Sequence, residues 1–592
     1  SDPEKPSLAA QGVSLNFDLE TNLADIKSEQ EGSSLLDFPF TQIRTSIGEA
    51  RWDLEKKIIS MNKPEDVDID QSYFYTTRHE MDSLVFNATG AIYDIDKLEM
   101  QVSGVPFMNI ADARIIPDSN RVFIRENAEI EKFNNARIVL DTINEFHNLY
   151  DGNIKVTARH AFDGDAIYEY INANQDTFEI SFKNFLLVRD KKLKGNQIFT
   201  VATGEIDESD NIYIMPGTLY KGDVTLFANK RILQMNGFIK LDLKSMQDND
   251  SWLAHSSDSE VQELAINVSE AVSETGQPLT SGINIDPDTG ELYGTFISEK
   301  KSTGDHEIFN ARGLFSYDSV NTEYKVIDPN KIKGNSYSGN IYSYNDNTTD
   351  IRFEGKINLL YPKTQIKTLM SANGKGNLKE KNIAMNTFQS FEFDIPSKAM
   401  ESMALNVGDI IARVGAPPAN TDRSSLLYKL ADAVGEREAQ EYQRRSTSEF
   451  ISLATISSDL ARSLVLSNVN MKWSSAYNSW YSVGKIGVAN ILDSEINGKL
   501  EGFLEVRKLE GDEEFHLFLK ASPTTYYYFG YVENRLYTFS SNEAFNAEIN
   551  KNSKVFKSGI GEYAFASTDM EYMLEFVDRF RKDYMDINAV SY

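Results

Sequence analysis

"FNATGAIYDIDKLEMQVSG", residues 86–104, sets the reading of the whole chain. It recurs in outline as "FNARGLFSYDSVNTEYKVI", residues 309–327. Both copies begin Phe-Asn-Ala-x-Gly and reach Tyr-Asp within five residues of the glycine. In the first, Leu98, Met100 and Val102 alternate with Glu99, Gln101 and Ser103. Successive side chains on a strand point to opposite faces, so this alternation describes one buried and one wet face. The unit is a glycine, a strand, an acidic turn, a second strand and another glycine. The stretches 203–220 and 338–359 have the same form. Glycine suits a site where a strand bends or another backbone comes close.

Working outward, the same period fills residues 80–390. Ile154, Val156 and Ala158 alternate with polar residues, as do Phe178, Ile180 and Phe182, then Ile239, Leu241 and Leu243, and later Ile351 and Phe353. Clusters of Asp, Asn and Gly at 150–152, 162–165, 207–211, 286–290 and 344–349 read as turns. Many short strands with regular turn signals indicate a sandwich, a barrel or a solenoid-like stack whose units bury one another's apolar faces.

These glycine-strand-Tyr-Asp-turn-strand units resemble the OstA-like β-jellyroll repeats of lipopolysaccharide-transport bridge proteins. The resemblance implies a V-shaped stack of short strands with an apolar groove for acyl chains over residues 80–390. The spacing between units departs from that pattern, and so does the inserted stretch 244–272, "KSMQDNDSWLAHSSDSEVQELAINVSEAV". The chain is also similar in outline to large envelope proteins of Gram-negative bacteria. That likeness implies the bacterial cell envelope, periplasm or cell surface. It also implies outer-membrane or other envelope proteins as partners, with lipid or glycan as further ligands.

The expected fold class is mainly β: stacked short antiparallel strands in a jellyroll or solenoid-like array, then a helical segment and a C-terminal α+β module. The expected segments are a β or irregular stretch over 1–80, a first repeat region over 81–300 with a polar insert at 244–282, and a second over 301–395. Helices follow over 396–468 and the α+β module over 469–592. In 421–446, Thr421 or Asp422 is placed to cap a helix with an apolar stripe of Leu426, Leu427, Leu430, Ala433 and Val434. A further helix is expected over 448–467, strands return from 469, and an amphipathic helix near the end carries Met570, Met573, Leu574, Val577 and Phe580.

Composition removes several function classes. The 592 residues carry 89 acidic against 60 basic side chains, a net charge of −29, which repels a nucleic-acid backbone. There is no cysteine, hence neither disulfide nor thiolate metal site. No apolar run reaches the ~18–20 residues that span a bilayer, so no transmembrane segment is expected. The opening "SDPEKPSLAAQG" reads as the start of a processed or truncated chain.

The sequence offers few reactive groups in patterns that carry chemistry. No histidine pair has the H-E-x-x-H spacing of a zinc site, although His147 and His160 flank a predicted strand. Neither a G-x-S-x-G elbow nor a phosphate loop is present. Asp286, Asp288 and Glu291 share one turn, which makes Ca²⁺ a candidate ligand beside a plain Asx turn; Asp248 and Asp250 form a second acidic pair. Trp473, Trp480, Tyr481, Tyr526 and Tyr528 form either a binding patch for sugar rings or a strand-pair core. No catalytic residue and no organic cofactor are assigned. The leading expectation is a non-enzymatic envelope scaffold or lipid-transport-like component of an outer-membrane assembly. The alternatives are a surface polysaccharide-binding protein and a glycan hydrolase using an acidic pair.

Overall fold

The repeated stretch is a hairpin closed by one turn design. Strands Gly90–Asp94 and Glu99–Ser103 pair antiparallel, with Asp94 opposite Glu99. Asp94 Oδ1 accepts the backbone N–H groups of Asp96 and Lys97 at 3.1 and 3.0 Å, and Leu98 closes the turn at φ 54°. In the second copy Asp318 stands opposite Glu323. Its Oδ1 accepts from Val320 and Asn321 at 3.0 and 3.2 Å, and Thr322 lies at φ 54°. Asp18, Asp286 and Asn345 repeat the device, each followed four residues later by a residue of positive φ. A short side-chain acceptor satisfies turn N–H groups that the ladder leaves orphaned, which is why Asp and Asn recur there. The glycines serve close approach. A Cβ on Gly90 would meet Met61 O at 2.5 Å, and Gly313 sits at φ 140° against Ile327 O.

The computed structural model describes residues 6–29, 36–172, 175–189, 198–246, 250–257, 266–334, 336–363, 365–447, 451–552, 554–558 and 561–585. The fold is mainly β, with 51% strand against 17% helix. The chain divides into two units, Ser1–Lys240 with His255–Leu264, and Leu241–Ala254 with Ala265–Tyr592. The expected boundaries at 80, 300, 395 and 468 separate no bodies. Strands on both sides of each one belong to the same sheets.

In the first unit the chain alternates between two sheets, hairpin by hairpin. One sheet holds Ala9–Ala10, Leu36–Phe38, Ile43–Thr45, Tyr73–Thr76 and Val85–Asn87. The other runs from Val13–Asp18 at one edge to Arg121–Ile124 at the far edge. Phe38 meets Tyr93 across the gap at 5.1 Å between ring centroids. With Met61, Phe74, Phe86 and Met100 they fill the space between the sheets, none more than 3% exposed. The space between these two sheets is therefore occupied by side chains. In the second unit Phe296, Phe309 and Tyr342 pack the corresponding interior.

A third sheet of the first unit has longer strands, among them His147–Ala158, Ala161–Ile171 and Thr177–Arg189. The turns expected at 150–152 and 162–165 lie inside two of these strands, the first at a register shift and the second in regular pairing with residues 153–156. Asp151 at φ 48° lies in the bulge between Tyr150 and Asn153, whereas Gly164 at φ 144° stays in the ladder opposite Ile154 and brings Asn153 O close. A bulge uses the same residue chemistry as a turn, so composition does not separate them.

The second unit is organised by a 16-stranded sheet and a three-stranded one. Helices Ser397–Val414, Arg423–Val434 and Glu436–Arg445 are inserted between strands Asn382–Phe393 and Leu464–Ser474, which pair with each other. The single helix expected over 421–446 is broken at Gly435, φ 121°. Asp422 caps it as expected, accepting from Ser425 N at 3.0 Å. The helix expected over 448–467 is instead two 3₁₀ turns, Leu453–Thr455 and Ser458–Leu460, and strands return at Leu464. Ser-rich sequence competes with helical hydrogen bonds, and the partner strand claims the apolar residues. Within the insert, Lys244 N and Ser245 N donate to the Asp346 carboxylate at 2.9 and 3.1 Å. No helix among the described residues is long and apolar enough to cross a membrane.

Candidate functional site

The expected calcium turn is a docking turn. Asp286 Oδ1 accepts Asp288 N at 2.9 Å. Glu291 ion-pairs with Lys381 and lies 3.8 Å from Lys301, so its carboxyl is held below the ordinary glutamate range, chiefly by the Lys381 hydrogen bond. The loop is clasped from two sides, by Asn478 Nδ2 on Thr289 O and by Gly511 N on Pro287 O, both at 3.0 Å. The carboxylates of Asp286 and Glu291 thus serve backbone and lysine partners, and Asp288 contributes its backbone N–H to Asp286. Among the described residues no group of three His, Asp or Glu side chains is placed to hold a metal ion. Asp248 lies outside the described residues.

The expected aromatic patch is not an open platform. Trp473 and Trp480 stand opposite each other and are 6% and 0% exposed. Tyr528 is fully buried and lies against Phe576 of the terminal helix Met570–Tyr584. Tyr481 stacks on Tyr584 at 4.2 Å, and Tyr526 packs at the edge of the same cluster. Glu505, itself buried, accepts both Arg579 Nη groups at 3.2 and 2.7 Å and fastens the helix to the sheet. Arg507 adds a 2.7 Å bond to Asp583. Rings that alternate along strands need an apolar cover, and the amphipathic helix supplies it.

The candidate acids and bases among the described residues are paired or buried away from the cavities described. His147 and His160 lie at opposite ends of the strand His147–Ala158. His147 is buried with Nε2 on Lys230 O at 2.6 Å, whereas His160 is exposed 3.3 Å from Asp82. Burial pushes the Asp432 carboxyl up to about 7, while it accepts Gly339 N at 2.8 Å, yet Asp432 lines none of the cavities described. A polar cavity of about 610 Å³ holds Glu80, Glu126 and Glu129. There Glu80 pairs with Arg78 and Glu129 with Lys155, both at 3.1 Å.

The site that the structure adds lies at the first end of the two-sheet stack. Among the described residues, strand Val13–Asp18 is the edge of its sheet and pairs with Leu23–Ser28, Leu15 opposite Ile26 and Phe17 opposite Ala24. Val13, Leu15 and Phe17 share one face with Ala24, Ile26 and Trp52. Among the described residues, the sheet opposite contributes the two-residue strand Ala9–Ala10 at this end and leaves part of the face uncovered. Leu15 is 65% and Phe17 41% exposed, and an almost wholly apolar cavity of about 270 Å³ opens beside them. Trp52 Nε1 is buried there without an acceptor among the described residues. The residues outside the expected repeat region thus begin the stack. Alternation in "VSLNFD" was the available signal, but it does not say whether the apolar face is covered.

Comparison with known proteins adds no relative: no family model matches this chain, and no curated protein matches it.

Proposed function

We propose that this chain is a non-enzymatic scaffold of the bacterial cell envelope. Its two-sheet stack would be continued by an extended strand of another envelope protein, as part of an outer-membrane assembly. The observation that carries this reading is the apolar end at Leu15 and Phe17, on a strand that among the described residues is the edge of its sheet. Exposed edges with an apolar face are templates for strand addition, and exposed apolar patches of this kind mark interaction sites. The hairpin-by-hairpin alternation between two sheets supports the OstA-like likeness. The filled interior favours the scaffold reading over carriage of acyl chains, and the buried rings do not favour a glycan platform.

Photo-crosslinking amino acids placed singly at Ser14, Leu15, Asn16 and Phe17 test it in native envelopes. Strand addition over the apolar face gives crosslinks from Leu15 and Phe17 to one envelope protein and little from Ser14 and Asn16. Equal labelling at all four positions, or none, overturns the reading.

A further inference from the structure

We propose that Lys429 and Asn386 are a site of self-modification, at which Lys429 Nζ attacks the Asn386 side-chain amide and forms an isopeptide bond. The bond would rivet helix Arg423–Val434 to strand Asn382–Phe393. Lys429 lies on the buried face of the helix, 1% exposed, among Leu426, Leu427 and Leu430. Its Nζ contacts Asn386 Oδ1. Its backbone carbonyl accepts Ser371 Oγ at 2.5 Å, which fixes this turn of the helix over the sheet. Phe388, two residues from Asn386 on the same strand face, packs in the apolar cluster with the three leucines.

The other buried lysine among the described residues, Lys508, is paired: it meets the Glu513 carboxylate and donates to Leu359 O at 2.8 Å. Lys429 differs. Among the described residues it has no carboxylate within ion-pair distance, and Asn386 Oδ1 is the acceptor its Nζ reaches. An ammonium there would bury an unpaired charge and leave N–H donors without acceptors. Burial accordingly pushes the amine down to about 8, outweighing the opposing charges of Asp422 and Glu354. A desolvated, neutral lysine amine is a nucleophile. The electrophile is held as well. Asn386 Nδ2 donates to Asn468 Oδ1 and Asn470 Oδ1 at 2.5 and 2.8 Å, which turns the carbonyl side of the amide toward Lys429. In the reaction the Nζ–Cγ bond forms, a proton passes from Nζ to Nδ2, the Cγ–Nδ2 bond breaks and ammonia leaves. Neither an oxidant nor a second substrate is consumed. A covalent tie between strand and helix restrains the unfolded chain as a disulfide does, in a protein that has no cysteine.

Intact-mass spectrometry of the purified, folded whole chain tests the proposal. We expect a mass lower than that of the sequence by one ammonia, and a protease digest containing a branched peptide that joins residues 386 and 429. K429R and N386A should each restore the full mass and abolish the branched peptide. The parent chain decides the matter even if a variant fails to fold. Full sequence mass in the parent, with circular dichroism showing it folded, overturns the proposal. So does an ammonia deficit that persists in both variants without a branched peptide, which would assign the loss to succinimide formation at an asparagine–glycine pair such as Asn373–Gly374. None of these outcomes depends on the Leu15–Phe17 end.

Discussion

Asp94 Oδ1 accepts the backbone N–H of Lys97 at 3.0 Å, and that bond is the unit from which the walls of this protein are made. Asp318 makes the equivalent bond to Asn321 in the second unit. The acid in the repeated motif closes a hairpin. D94A should therefore lower stability by roughly 0.5–1 kcal/mol, with solvent exposure keeping the effect small. D94N, which keeps the acceptor oxygen, should remain near the parent. Urea midpoints distinguish the two.

These turns also set the response to acid. Lys97 N–H holds the Asp94 carboxyl below its ordinary range, Lys56 N–H does so for Asp53, and the Lys325 ammonium does so for Asp318. A carboxylate whose folded pKa is depressed contributes stability above its unfolded pKa, 3.8 here, and loses it as pH falls through the folded value. Stability should be flat in this respect above about pH 4 and decline below it. A set of circular-dichroism melts from pH 6 to pH 2 checks the slope; an unchanged melting temperature at pH 3 contradicts it.

Asp432 works in the opposite sense. Burial raises its folded pKa to about 7 against 3.8 for the free group. The folded state then holds more protons than the unfolded one between those values, so this residue's contribution is full below about pH 4 and is lost as pH rises toward 7. D432N retains an acceptor for Gly339 N–H and should show a flatter melting temperature over that window than the parent. Parallel pH profiles for the two proteins would show the assignment to be wrong.

The terminal helix is structural cover, and its anchors should cost accordingly. Phe580 is 1% exposed and stacks on Phe503 at 4.5 Å. F580A should destabilise by about 3–5 kcal/mol. M570A, at a half-exposed position of the same helix, should stay within about 0.5 kcal/mol of the parent. Comparable losses in both would mean that the helix is held by its backbone rather than by its apolar face.

The apolar end makes a separate stability prediction. Because Leu15 and Phe17 are exposed, L15D/F17D should leave the urea midpoint within about 0.5 kcal/mol of the parent. A large loss would place these side chains in the core.

How far these features were legible varied with the range of the interaction behind them. The strands around Gly90, Met100, Ile180 and Phe353 were readable because side-chain period 2 is local. The turn at Asp318 was readable because the acceptor and its N–H groups lie within three residues. Glu291 misled because its lysine partner, Lys381, is 90 residues away, and the Tyr481, Tyr526 and Tyr528 cluster was ambiguous because its cover is the last helix. Residues 448–467 misled because their apolar spacing suits a helix, while the edge of Asn382–Phe393 takes Leu464, Val465 and Leu466 as a strand. Sequence by itself determined where this chain alternates, where it turns and which charges it carries, since those depend on neighbours a few residues apart. Only the tertiary structure decided which apolar faces are covered, as at Tyr528, and which stay wet, as at Leu15. Burial depends on what the rest of the chain brings to each face.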